Sequence, residues 1–121
     1  MRYRVYVAGA ISGNSCGKVL NNLRKGIQLS SKVFLAGYAP FSPFVDFHFQ
    51  LVMNDEEVKN ITTEDYYAYS IAWLEKADAM ILTEGWEKSV GTAKELELAN
   101  KLNIPVYYSL NEMLAKLPPR Q

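Results

Sequence analysis

The stretch GWEKSVGTAKELELANKLN, residues 85–103, puts an acid where a surface helix would carry an apolar side chain. On a helical wheel Gly91, Glu95, Leu98, Ala99 and Leu102 form one stripe, while Lys94, Glu97 and Lys101 take the opposite side. Two readings of Glu95 are open. Thr92-x-x-Glu95 matches a capping box, in which the glutamate bonds back to a cap N–H. Alternatively, the carboxylate lies over the edge of a sheet, kept ionised by the helix dipole and suited to attack an electrophilic sugar carbon.

Two turns place small residues where such a site would need them. GWEKSVGTAKE has Ser89 and Gly91 ahead of its helix, and YVAGAISGN has Gly9 and Gly13 around Ser12. Small residues let backbone N–H groups approach an anion at a helix N-terminus, where the dipole also favours negative charge. The two turns together would hold one phosphate. Each also has a plainer explanation: a tight strand-to-helix turn for the first, and Ser89 as a simple N-cap for the second. Neither is a G-x-G-x-x-G fingerprint, and the lysine of a P-loop is missing.

Six further positions join the candidates. Tyr6, on the first strand, either orients Glu95 or packs in the core. His48, the chain's one histidine, sits in PFVDFHFQL and is placed to contact a base or donate a proton, unless it is incidental. Trp86, with Phe44, Phe47 and Phe49, offers faces for stacking on a nucleobase, or covers the core. One histidine and one cysteine without ligand spacing argue against a metal site. No G-x-S-x-G elbow supports a Ser-His-Asp hydrolase.

The elements that must position these residues alternate. RYRVYVAGAISG opens with a strand that stops at Gly9. A helix follows, with Cys16, Leu20, Leu23, Ile27, Ser30 or Ser31, and Phe34 on one face and Gly37 closing it. YAPFSPF is short and extended, broken by Pro40 and Pro43. Residues 44–62 read as a loop with a short helix. TTEDYYAYSIAWLEKA is helical, with Thr62 or Thr63 as N-cap and Tyr67, Ile71 and Leu74 inward. DAMILTEG is a buried strand, the opening stretch at residues 85–103 a helix, IPVYYS a strand and LNEMLAKL a final helix. Such alternation predicts an α/β three-layer sandwich with a mainly parallel sheet, and ligands bind such sheets beyond the strands' carboxyl ends. Both glycine-bearing turns fall there.

Composition sets the bounds. The 121 residues are expected to form one domain over 1–117, with a frayed tail at 118–121. Thirteen basic and thirteen acidic residues cancel, which argues against a nucleic-acid polymer as partner. Cys16 alone excludes an internal disulfide, and no stretch approaches membrane-spanning length, so a cytoplasmic location is expected.

YVAGAISG followed by ADAMILTEGWEKSVGTAKELELA resembles the nucleoside 2-deoxyribosyltransferase superfamily, most closely its short phage and bacterial members. The resemblance implies a flavodoxin-like, Rossmann-type fold, a homo-oligomer, a nucleotide or nucleoside as ligand, and no cofactor. It places Glu95 on the family's nucleophile and Tyr6 on the tyrosine that positions it. Ser89 matches the serine of monophosphate N-glycosidases rather than the aspartate of transferases that act on unphosphorylated nucleosides. Gly9, Ser12, Gly13 and Gly91 would complete the phosphate site. There is one departure: eight residues before Asp78, where the family usually has an acid, stands Ser70. Asp65, on the same helix, lies about 140° away from it. The reading that follows is cleavage or transfer at the N-glycosidic bond of a 2′-deoxynucleoside 5′-monophosphate; the alternative is a nucleotide-binding protein without turnover.

Overall fold

The computed structural model describes residues 1–120, and the side chain of Phe47 also lies outside the described residues. Strands β1 (Arg4–Ala8), β2 (Ala39–Phe41), β3 (Ala79–Leu82) and β4 (Val106–Tyr107) form one sheet in the order β2-β1-β3-β4. Every pairing is parallel. Parallel neighbours need long crossovers. Helix α1 (Cys16–Leu35) joins β1 to β2. A 3-10 segment (Pro43–Val52), α2 (Asp55–Asn60) and α3 (Thr63–Leu74) lead to β3, α4 (Val90–Lys101) leads to β4, and α5 (Leu110–Lys116) follows. This is the three-layer α/β fold that the alternation of elements predicts, in the flavodoxin-like form that the resemblance implies.

Successive side chains of a strand point to opposite faces, and the two cores divide accordingly. Val5, Val7, Ala79 and Ile81 pack with Val33 of α1, Phe44, and Met113 of α5. Tyr6, Ala8, Met80 and Leu82 pack on the other face with Leu74 of α3 and Ala99 of α4. The chain leaves β1 towards β2 on one side and returns to β3 on the other. That reversal opens a crevice at the carboxyl ends of β1 and β3, tied together where the Thr83 amide donates to the Ala8 carbonyl (2.9 Å).

The inward face of α1 differs from the expected one. Gly26, Ser30 and Val33 are buried, with Leu23 and Leu29 beside them, whereas Leu20, Ile27 and Phe34 are exposed. Leu23 and Ser30 of the expected face do turn inward, but Gly26 and Val33 replace Ile27 and Phe34 beside them, each one residue earlier, a rotation of about 100°. Gly26 explains it: a Cβ there would lie 2.3 Å from the Phe44 ring, so the glycine is a notch that receives that ring. Burying Phe44 in this way is worth roughly 1.5–3 kcal/mol.

The expected loop over residues 44–62 is a 3-10 segment of ten residues followed by α2, which carries an Asn54–Glu57 capping box. Thr62 caps α3, and Asp65 completes a second capping box by accepting from the Thr62 amide (2.9 Å). Of the tail expected at 118–121, Pro119 lies against Gly37 and the Arg120 guanidinium sits 4.0 Å over the Tyr3 ring; Gln121 is outside the described residues. Among the described residues no helix is long and apolar enough to cross a membrane.

Candidate active site

Glu95 does not cap its own helix. Ser89 is the N-cap of α4, and its hydroxyl accepts from the Thr92 amide (3.1 Å) and from the Thr92 hydroxyl (3.0 Å). The capping-box reading of Thr92 and Glu95 therefore falls. One turn further on, α4 buries Thr92, Glu95 and Ala99 against the sheet, while Gly91 and Leu102 of the expected stripe are exposed. The Tyr6 hydroxyl, rising from the middle of β1, donates to Oε2 of Glu95. A strand and a helix far apart in sequence thus meet in one buried hydrogen bond.

Burial, above all, pushes the Glu95 carboxyl up to about 7; the Tyr6 hydrogen bond opposes this and the charge of Asp46 adds to it. The dipole that was expected to keep Glu95 ionised is too far away, because its effect fades within the first helical turn. Tyr6 is held protonated well above its ordinary range, by burial first and by the neighbouring Glu95 charge second. Ser70 is buried on α3, and its hydroxyl beside Tyr6 works the other way. Phe41 stacks on the Tyr6 ring at 5.5 Å, and Tyr69 and Trp73 flank Phe41 in turn. Aromatic packing and hydrogen bonding together fix the tyrosine.

The remaining candidates separate. Gly9 is buried, and a Cβ on it would fall 1.8 Å from Oγ1 of Thr83, so packing explains this glycine. A Cβ on Gly13 would meet Lys18 at 2.7 Å. Ser12 is exposed, and Asn22 of α1 donates to its carbonyl (3.1 Å) and to that of Ile11 (3.3 Å). Gly91 differs: its nearest neighbour would be Oγ of Ser89 at 3.9 Å, and no steric demand accounts for it.

Trp86 packs with Tyr108 (6.0 Å between rings), and the two line a cleft of about 650 Å³ with Thr83, Gly85 and Lys88. A second cleft of about 400 Å³ runs past Lys25, Lys32 and Ser109. Neither is lined by Glu95 or Tyr6, so Trp86 is not brought to the carboxylate. His48 is exposed, Phe44 is core, and Phe49 meets Tyr69 edge-on at 5.5 Å.

The sequence reading passed over a second buried acid, Asp46, on the 3-10 segment. Burial pushes its carboxyl up to about 6. A signal existed: an acid between Val45 and Phe47, with no Lys or Arg within four residues. Among the described residues no cluster of His, Cys, Asp and Glu is arranged to hold a metal.

The arrangement has a parallel-sheet switch point, a buried carboxyl gripped by a tyrosine on one oxygen, and a serine-capped helix start. The chain matches, over residues 3–108, the family described as "Domain of unknown function (DUF4406)", and it belongs to that family. Its fold is similar to that of a 2-deoxyribosyltransferase from the psychrotolerant bacterium Bacillus psychrosaccharolyticus, with a TM-score of 0.57 and 20% identity. The likeness covers 93% of this chain and 80% of that one. No curated protein matches the chain in sequence.

Proposed function

We propose that this chain cleaves or transfers at the N-glycosidic bond of a 2′-deoxynucleoside 5′-monophosphate, with Glu95 as nucleophile. The observation that carries the reading is the Tyr6 hydroxyl bound to Oε2 of a buried Glu95. That contact orients the carboxylate and leaves Oε1 for C1′. A carboxyl pushed to about 7 is part ionised at neutral pH, as a nucleophile requires. Attack would proceed through an oxocarbenium-like state to a glycosyl-enzyme, as in retaining glycosidases. Water or a second base then releases the sugar. The fold shared with a 2-deoxyribosyltransferase supports the class of reaction.

Ser89 supports the phosphate. Its oxygen accepts two hydrogen bonds, so its single proton is left to donate outward. Beside it, the amides of Val90 and Gly91 stand in the first turn of α4, where no carbonyl of the helix reaches them. Ser12 and Gly13 would approach the same anion from the β1 turn. With 8% of its surface exposed, Glu95 meets a sugar only when the residues packed around it move apart on binding. Neither cofactor nor metal takes part in this scheme.

Incubation with a panel of 2′-deoxynucleoside 5′-monophosphates, followed by chromatography for free base, tests the reading. Release is expected, and Glu95→Ala lowers it by roughly 10³-fold or more. Absence of release from every monophosphate overturns it. Ser70 at the position of the usual acid favours one rival, a nucleotide binder without turnover. That rival gives thermal stabilisation by nucleotides with no base freed. Leu20, Ile27 and Phe34, exposed along α1, support a homo-oligomer, which light scattering would read.

A further inference from the structure

The Glu95 reaction leaves one buried carboxyl unassigned. Asp46 is 8% exposed and forms no hydrogen bond or ion pair with another described residue. Withdrawing a carboxyl from most of its water costs free energy, so a largely buried acid marks a position with a use. Its position is built. Phe44, two residues before, is seated in the Gly26 notch, and Phe49, three residues after, rests edge-on against Tyr69. Between these anchors Asp46 lies near enough to Tyr6 and Glu95 for its charge to strengthen proton binding at both.

The chemistry has a vacancy that this group fits. A nucleobase leaves poorly as an anion, so a proton must reach one of its ring nitrogens as the bond to C1′ breaks. Tyr6 already donates its proton to Glu95, Ser70 is a hydroxyl and too weak an acid for the task, and His48 is exposed. Resting on the reading of Glu95 as nucleophile, we infer that Asp46 is the general acid that protonates the departing base.

The step balances. Oε1 of Glu95 bonds to C1′, the C1′–N bond breaks with its electron pair going to the base, and the Asp46 proton passes to the base. Asp46 is left as a carboxylate. In the second half, Asp46 takes a proton from water, or from the N–H of an incoming base. The nucleophile so formed attacks C1′, the bond from C1′ to Glu95 breaks, and both acids return to their starting states. Burial pushes the Asp46 carboxyl up to about 6, so it holds its proton to higher pH than an exposed aspartate would; with Glu95 near 7, the reactive pair, Glu95 ionised and Asp46 protonated, is a minor fraction that peaks between those two values.

The test compares two leaving groups on Asp46→Asn and the parent chain. 2′-Deoxyguanosine 5′-monophosphate needs protonation to leave; its N7-methyl counterpart already carries the positive charge. The variant is expected to lose roughly 10²–10⁴-fold on the first and to stay within about threefold on the second. Equal losses on both, or no loss on the first, overturn the assignment. Thermal melts check that the variant folds; if Asn melts early, Asp46→Ser makes the same comparison. If the parent chain frees no base from either substrate, or frees it independently of Glu95, the proposed function itself falls, and Asp46 with it.

Discussion

The two glycine-bearing turns look alike in sequence and are built for different ends. After β1, Gly9 lies against Thr83, Gly13 lies against Lys18, and Asn22 clips the carbonyls of Ile11 and Ser12. After β3, Gly85 takes a left-handed φ of 83° with open space around it, and Gly91 faces only the Ser89 hydroxyl. The first turn uses its glycines to bring strand and helix together. The second leaves the start of α4 uncovered. A glycine after a parallel strand therefore marks either a close contact or an open backbone, and only the neighbouring atoms tell which.

Alanine at Gly9 is the strongest way to break this contrast. A Cβ 1.8 Å from Thr83 must push β1 and β3 apart, so Gly9→Ala should lose about 3 kcal/mol in denaturant unfolding. A variant that unfolds like the parent would show that packing does not explain Gly9.

Next comes the acid that α4 carries. The folded state holds Glu95 near 7 against an ordinary 4.5, so its proton binds the folded chain more tightly than the unfolded one. That contribution is complete below about 4.5 and is lost as pH rises through about 7. Glu95→Gln should therefore raise stability by about 2–3 kcal/mol at pH 8 and by little at pH 4. A gain independent of pH would contradict the burial argument.

Aspartate at Ser89 sharpens the second turn. It remains a good N-cap, so stability should hold, but its charge faces the proposed phosphate. Monophosphate affinity should drop by about tenfold, near 1.4 kcal/mol, with the unphosphorylated nucleoside unaffected. Parallel loss for both ligands would remove the phosphate from this turn. The smallest effect is expected at Gly91→Ala, within about 0.5 kcal/mol of the parent in stability, since nothing there opposes a methyl group.

Much of this architecture could be read before the coordinates. The apolar runs RVYVA and AMIL announce β1 and β3, and the turns after them announce the sheet edge. Glu95 and Tyr6 were legible as residues, and the fold joins them in one hydrogen bond, although the dipole and the full stripe that drew attention to Glu95 do not hold. The inward face of α1 did not, because the helix has two apolar rows. The row that packs is built on Gly26 and Ser30, which no hydrophobicity count favours, while the more apolar Leu20, Ile27 and Phe34 face out. Residues 44–62 stayed opaque since a run of 3-10 turns has neither the strand nor the helix period. Asp46 was hidden there, and its importance depends on contacts that only the folded chain brings together.

The Phe44 ring set into Gly26 has a consequence beyond core packing. The segment bearing Asp46 is pinned by a residue on the opposite layer of the sandwich, remote from any ligand. A side chain at position 26 would meet that ring at 2.3 Å, so either α1 or the segment that carries the acid must give way. A hydrogen atom on α1 thereby sets where the segment bearing a carboxyl can sit, and a change there would be felt at a residue that α1 does not carry.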